Sequence, residues 1–236
     1  MDAAGYTTLT RQSGLMREMQ VVANNIANIS TTGFRREGVI FAEHVARMDE
    51  GPSLSMASGN ARLIDLSQAG VSQTGGTFDM AIQGEGFFLI ETPDGQALTR
   101  AGSFTPSASG ELVTNDGYRL LDQGGAPVLI PPDARVVAVA QDGTLSADGQ
   151  PLARLGLWAP TDATSLRHQS GTTFKADDLQ PVEGGTILQG FLEDSNVQPV
   201  SEIARMIEVQ RAYEMGQGFL DKEDARMRSV IQTLGR

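Results

Sequence analysis

No cysteine occurs anywhere in this 236-residue chain, so neither a disulfide nor a thiolate-held metal is available to it. That absence suits a reducing cytosol and equally an exported protein that does without bridges. Histidine is nearly absent too: His44 and His168 stand in unrelated contexts, and a lone histidine in a loop is far more often a surface residue than a ligand or base. One tryptophan, Trp158, and three tyrosines leave little aromatic surface for stacking on sugars. No HExxH, GxSxG or Walker motif is found, and the Asp-Gly pairs lack the spacing and the closing glutamate of a calcium loop. Gly84-Glu85-Gly86 leads into a strand pattern rather than a helix, which removes a phosphate-loop reading. Two of the many carboxylates are enough for a glycosidase pair, but nothing selects which two. No cofactor is expected. No apolar run approaches the roughly 18 residues of a membrane span, so no membrane insertion is expected. Met1–Ala4 has no basic flank and no apolar run ahead of a small-residue cleavage site, so the expectation is export, if any, without a cleaved signal.

Basic charge is scarce as well, and unevenly so. The chain carries 18 basic and 29 acidic side chains, net −11. Residues 1–37 hold +1, residues 38–198 hold −12 and residues 199–236 hold 0. Phosphate contacts need a basic surface, so nucleic acid is excluded as a partner. The balanced ends can pack densely against copies of themselves, whereas the acidic middle suits a solvated domain.

What is abundant is glycine, with 27 residues, favouring tight turns and β-structure. From Phe78 onward, short apolar or alternating runs (FDMAI, FFLIET, QALTR, GELVT, YRLLD, APVLI, RVVAVA, TLSAD, LARLGLWA) are separated by GEG, PDG, NDG, QGG, PPD, QDG and ADG. Strands at such spacing with Asp-Gly turns predict a sandwich or barrel-like β-domain, with a hairpin at PDG. Residues 160–185 read as a long polar loop with one strand at Thr172–Lys175, and 186–193 as a last strand. Residues 34–77 have no clean period and read as a connector, with loop chemistry at 49–60. Arg35 and Arg36 read by default as part of a solvated loop.

The two ends are helical in pattern. Over residues 2–29, Leu9, Gln12, Met16, Met19, Ala23 and Ile26 alternate spacings of three and four, a heptad seam interrupted by Gly5 and Gly14. Asn24, Asn25 and Asn28 crowd its last turns, where asparagine is a mediocre helix former; on residue types alone they mark a fraying end before Ser30–Gly33. From Ser195 a second helix of about 36 residues would span about 54 Å. Met206, Tyr213, Leu220, Met227 and Leu234 form one row of heptads, and Ile203, Gln210, Gln217, Asp224 and Ile231 a second, more polar one. Two seams of this kind are expected to pair and still leave edges to bury. An open filament follows if the contact is head-to-tail, while a closed dimer or trimer fits equally well. The fold class expected is α+β: a central all-β domain flanked by terminal helices that pair as an antiparallel coiled coil. The expected divisions are 1–33, 34–77, 78–194 and 195–236.

Three blocks in order carry a family resemblance. ANNIAN followed by STTGFRR resembles the amino-terminal motif of the bacterial flagellar rod and hook proteins. FDMAIQGEGFFLIETPDGQALTRAGSFTPSASGELVTNDGYRLL resembles their core β-segment, with Thr99, Arg100, Gly102 and Phe104 matching its TR-G-F element. SNVQPVSEIARMIEVQRAYE resembles their carboxy-terminal motif through Asn196, Met206, Ile207, Gln210, Arg211, Tyr213 and Glu214. The resemblance implies a structural axial subunit rather than an enzyme, with the terminal helices forming an inner tube, the β-domain an outer layer, and torque carried from the motor across the periplasm. It also implies copies of itself and neighbouring rod proteins as partners, and export by the flagellar type III apparatus. The candidate subunit-interface residues are then Leu9, Met16, Met19, Ala23, Asn24, Asn25, Ile26 and Asn28 at the front, and Ile203, Met206, Ile207, Gln210, Tyr213, Leu220, Met227, Ile231 and Leu234 at the back. Length and the start MDAAGYTTLTRQSG resemble the proximal-rod members, with the distal-rod members as the alternative. The competing class is an extracellular β-domain enzyme or binding module with helical oligomerisation ends. A fibre protein unrelated to flagella is a second alternative.

Overall fold

A computed structural model describes residues 3–46 and 54–234. The fold is α+β: an amino-terminal helix, a central region of several β-sheets and a carboxy-terminal helix. The chain divides into two compact units. One comprises Met1–Ala27, Glu37–Leu63 and Gln198–Arg236; the other comprises Asn28–Arg36 and Ile64–Val197.

The first unit is built on α1 (Ala3–Ala27) and α2 (Pro199–Leu234). Helix α1 packs against α2 and against β1 (Glu37–Ala46), which pairs with β2 (Leu54–Ile64). Residues 34–77, read from sequence as a connector, are thus shared between the units and include two long strands. Part of the loop expected at 49–60 is strand β2, and residues 49–53 lie outside the described residues. Pro199 opens α2, where its missing N–H costs nothing and its fixed φ suits the first turn.

The second unit is the β-region. Its nine-stranded sheet centres on the hairpin Phe87–Thr92 and Gly95–Thr99, closed across Pro93-Asp94 with Thr92 opposite Gly95. This is the hairpin that PDG predicts. Leu157–Pro160 pairs back onto Phe87 and Phe88. The strands Val137–Val139, Thr144–Ala147 and Gln150–Arg154 form a separate three-stranded sheet. One apolar core gathers Met80, Ile82, Phe88, Ile90, Leu112, Leu120 and Leu145; a second gathers Phe87, Leu89, Leu98, Leu166 and Phe174.

Two expectations are corrected here. Residues 160–185 are not one loop with a single strand. They hold a 3₁₀ turn at Ala163–Ser165, capped by the Asp162 carboxylate accepting from Thr164 N–H, and strands at Arg167–Ser170, Thr173–Lys175 and Leu179–Pro181. These strands are short and polar because much of their surface stays wet, which erases the alternation that marks a half-buried strand. The strand expected at 186–193 is two. Gly190, at φ 78°, breaks it, so that Thr186–Gln189 pairs with Met80–Gln83 and Phe191–Glu193 pairs with Val71–Gln73.

Candidate assembly surfaces

In the helical unit, the side chains that α1 buries are Gln12, Leu15, Glu18, Val21, Val22 and Asn25, with Thr8, Met19 and Ile26 half-buried beside them. On α2 the inward row is Glu202, Met206, Val209, Tyr213, Gly216, Leu220 and Glu223, again alternating steps of four and three. Polar contacts fix the directions of the two helices. Gln12 Nε2 donates to Tyr213 O at 2.9 Å, Arg205 pairs with Glu18, and Asn25 Nδ2 donates to Glu202 Oε2 at 3.1 Å. Residue numbers rise on α1 as they fall on α2, so the helices run antiparallel.

The α1 seam expected from the sequence is displaced by about one residue. Leu9 and Met16 are 55% and 41% exposed, and Ala23 and Asn24 are exposed. Heptad spacing placed Leu9, Met16 and Ala23 in the seam. The helix is instead turned so that polar groups with dedicated partners are buried, which hydrogen bonding permits. Asn25 shows how: wholly buried, it donates to Glu37 O at 2.8 Å and accepts from Glu37 N at 3.0 Å while also reaching Glu202. Asn28, just past the helix, accepts from Thr31 Oγ1 at 3.1 Å and closes the turn. Of the remaining interface candidates, Met206, Tyr213 and Leu220 are half-buried, whereas Ile203, Ile207, Gln210, Met227 and Ile231 are exposed. The side chain of Leu234 lies outside the described residues. Beyond Glu223 the α2 row continues in register through Met227 and Val230, which are 46% and 51% exposed. Asp224 pairs with Arg228 at 2.6 Å, and Glu208 pairs with Arg205 at 3.5 Å.

In the β-unit the solvated-loop reading of Arg35 is overturned. Arg35 is wholly buried. Its Nη2 meets Glu193 Oε1 at 2.8 Å, and its Nη1 donates to Ser67 O at 2.7 Å. The other Glu193 oxygen takes Arg100 Nη1 at 3.0 Å, and Arg100 Nη2 donates to Gly84 O at 2.7 Å. Burial lowers the Arg100 guanidinium to about 10, against the raising pull of Glu193. Gly33, at φ 72°, donates its N–H to Glu193 O at 2.8 Å, and a Cβ there would run into the Arg100–Ala101 backbone. Arg36 N–H donates to Asn196 Oδ1 at 2.6 Å, and Asn196 Nδ2 donates to Asp65 O and Ser67 O. Phe34 stacks on His168, which also contacts Phe174. Gly33–Arg36 of the first motif block and Arg100 of the second therefore interlock through Glu193 and, at the start of the third block, Asn196. Glu193, Glu18, Glu37 and Glu202 escaped the sequence reading, since a single carboxylate in an acidic chain carries no local sign that it will be buried.

A cleft of about 630 Å³ opens in the β-unit beside Gln123, Asp142, Arg154, Trp158 and Glu183. Hydrogen bonds from Thr144 hold Asp142 below the usual carboxylate range. Among the described residues no group of three His, Cys, Asp or Glu side chains can hold a metal ion, and no helix is long and apolar enough to cross a membrane.

Comparison with known proteins agrees with this arrangement block by block. Residues 6–35 match the flagella basal body rod protein family, residues 81–147 the flagellar hook protein FlgE/F/G D1 domain, and residues 188–233 the flagellar basal body rod FlgEFG protein C-terminal family. The chain is 37% identical to the flagellar basal-body rod protein FlgF of Caulobacter vibrioides over 100% of this chain and 99% of that one. It is 35% identical to the FlgF of Mesorhizobium japonicum over 98% and 97% of the two chains. With the flagellar basal-body rod protein FlgG of Bacillus subtilis it shares 32% identity over 96% and 97%. End-to-end likeness at this level means that the chain belongs to the flagellar basal-body rod protein family.

Proposed function

We propose that this chain is a structural subunit of the proximal part of the flagellar rod, polymerising through its terminal helices to carry motor torque across the periplasm. The observation that carries the proposal is the end-to-end 37% identity to a rod protein FlgF, together with a helix pair whose exposed faces are rich in apolar residues. Leu9, Met16, Ile203, Ile207, Met215, Met227 and Ile231 are all at least 41% exposed, more apolar surface than a solitary helix pair has reason to display. In the assembled rod these side chains contact other copies and neighbouring rod proteins, with the two helices held as an antiparallel coiled coil. Delivery is through the flagellar type III apparatus as an unfolded chain, to which a protein without disulfides presents no covalent obstacle.

The test is a deletion strain complemented with this gene, scored for swimming and for basal bodies by electron microscopy. Rods that stop near the inner membrane without the gene and lengthen with it are expected. Rods that reach the outer membrane but lack only their distal part would move the assignment to the distal segment. Normal rods and normal swimming without the gene would end both.

A further inference from the structure

Self-assembly, proposed above, leaves open which surfaces meet; an unsatisfied group inside the helix pair points to one of them. Gln12 sits in the α1 seam at 8% exposure. Its Nε2 is used by Tyr213 O, but its Oε1 is buried and has no hydrogen-bond partner among the described residues. A buried acceptor without a donor is unfavourable, and native interiors rarely keep one. The Nε2 side of the same carboxamide faces Gly216, where a Cβ would overlap it. Beside this close approach lies a cleft of about 350 Å³, lined by Arg11, Gln12 and Leu15 on α1 and by Met215, Gly216 and Phe219 on α2. Met215 and Phe219 stand 70% and 44% exposed at its lip. Such a cleft is a receptor for apolar side chains that arrive with one N–H donor and one carboxylate, the latter for Arg11.

The same unit carries that combination elsewhere. Ile203, Ile207, Gln210 and Glu214 follow one another on α2 at steps of four, three and four, so they share one face, and all four are exposed. The Gln210 carboxamide is engaged only by a long 3.3 Å bond to Glu214. This face is separate from the one that lines the cleft. Helices α1 and α2 together hold seven basic and seven acidic side chains, so two copies meet there without net repulsion.

We propose that the Ile203–Ile207–Gln210–Glu214 face of α2 seats in the Gln12–Gly216 cleft of a second copy. The isoleucines cover Met215 and Phe219, Gln210 donates to Gln12 Oε1, and Glu214 meets Arg11. Face and cleft are different surfaces, so every added copy presents a fresh one of each, and the chain of contacts stays open rather than closing as a dimer. This rests on the self-assembly reading and adds its contact.

Because the chain has no cysteine, engineered thiols report cleanly. Residues 207 and 219 lie about 18 Å apart along one helix, beyond the roughly 7 Å that a disulfide spans, so any bridge between them joins two copies. The full chain carrying Ile207→Cys and Phe219→Cys, oxidised at concentrations where sedimentation detects association, is expected to give a ladder of dimers, trimers and higher species on a non-reducing gel. Mixed single variants should give dimers only, and each single variant alone should give none. Bridging by Phe219→Cys alone, or association without any 207–219 bridge, overturns this contact and leaves self-assembly standing. A chain that stays monomeric at every concentration overturns both. Gln12→Met keeps the volume and removes the acceptor together with the Nε2 donor to Tyr213 O; it is expected to raise the concentration needed for assembly at least tenfold while leaving the helical circular dichroism of the monomer unchanged. Assembly at the wild-type concentration would remove Gln12 from the contact.

Discussion

Glu193 holds two guanidinium groups at once, and with Arg35 and Arg100 it is 3% exposed or less. Removing one member of such a cluster strands the rest, so Glu193→Gln is expected to cost the β-unit about 3–5 kcal/mol, read as a fall in its denaturation midpoint. A variant that melts with wild type would mean that water, not Glu193, neutralises the arginines. The asparagines give a sharper contrast within one motif. Asn25→Leu removes the amide's bonds to Glu202 and to the Glu37 backbone and is expected to cost the helical unit about 1–3 kcal/mol. Asn24→Ala, at an exposed position, is expected to stay within about 0.5 kcal/mol. Equal losses at both positions would sink the buried-clamp account. Sequence alone saw three asparagines in a poor setting for helix and read fraying. Which of them is structural depends on Glu37 and Glu202, 12 and 177 positions away, and no local pattern encodes that. Arg35 was misread for the same reason: its partner is 158 positions on.

At the level of elements, both terminal helices, the turn from the Phe87 strand to the Gly95 strand and most β-strands were legible from period and turn chemistry. The α1 face was legible only in part: Gln12 was placed in the seam, but a heptad read by hydrophobicity cannot anticipate that Glu18 and Asn25 go inside when partners await them. Helix α2 was read correctly in one row: Met206–Tyr213–Leu220–Met227 matches the observed inward row as far as that row is covered. Ile203, Gln210, Gln217, Asp224 and Ile231, expected as the second row, are exposed, and the residue before each of the first four is turned inward instead. The matching row separates two functions by position. Leu220 is half-buried, while Met227 lies further on, where the seam is exposed. Leu220→Asp is therefore expected to lower the melting of the helix pair and abolish assembly. Met227→Asp is expected to leave monomer melting within about 0.5 kcal/mol and to impair assembly alone. Circular dichroism of the monomer and swimming of complemented cells separate these outcomes; wild-type swimming with Leu220→Asp would show that the seam is misassigned.

Across the whole molecule, stability is divided unequally. In the helical unit Leu15, Val21, Val22 and Val209 are the fully buried apolar side chains among the described residues, whereas the β-unit holds two cores. Regions with few buried apolar contacts open first and are cut first. Trypsin acting on the monomer is thus expected to trim α2, whose Arg205, Arg226 and Arg228 side chains are at least 50% exposed, and to cut after Arg62, which is 62% exposed. The β-unit should survive. Its composition adds a discriminating detail, since residues 28–36 belong to it although more than two dozen residues separate them in sequence from Ile64. Once the chain is nicked between these segments, the peptide ending at Arg36 has only non-covalent ties, among them Arg35 to Glu193 and Ser67 O, Gly33 N–H to Glu193 O, Phe34 to His168, and Arg36 N–H to Asn196. It is expected to co-elute with the β-unit on size exclusion and to be identified there by mass spectrometry. In Glu193→Gln it should separate. A nicked wild-type protein that sheds the peptide would show that the interlock depends on chain connectivity, and a monomer that resists trypsin throughout would show that the helical ends are already ordered before assembly.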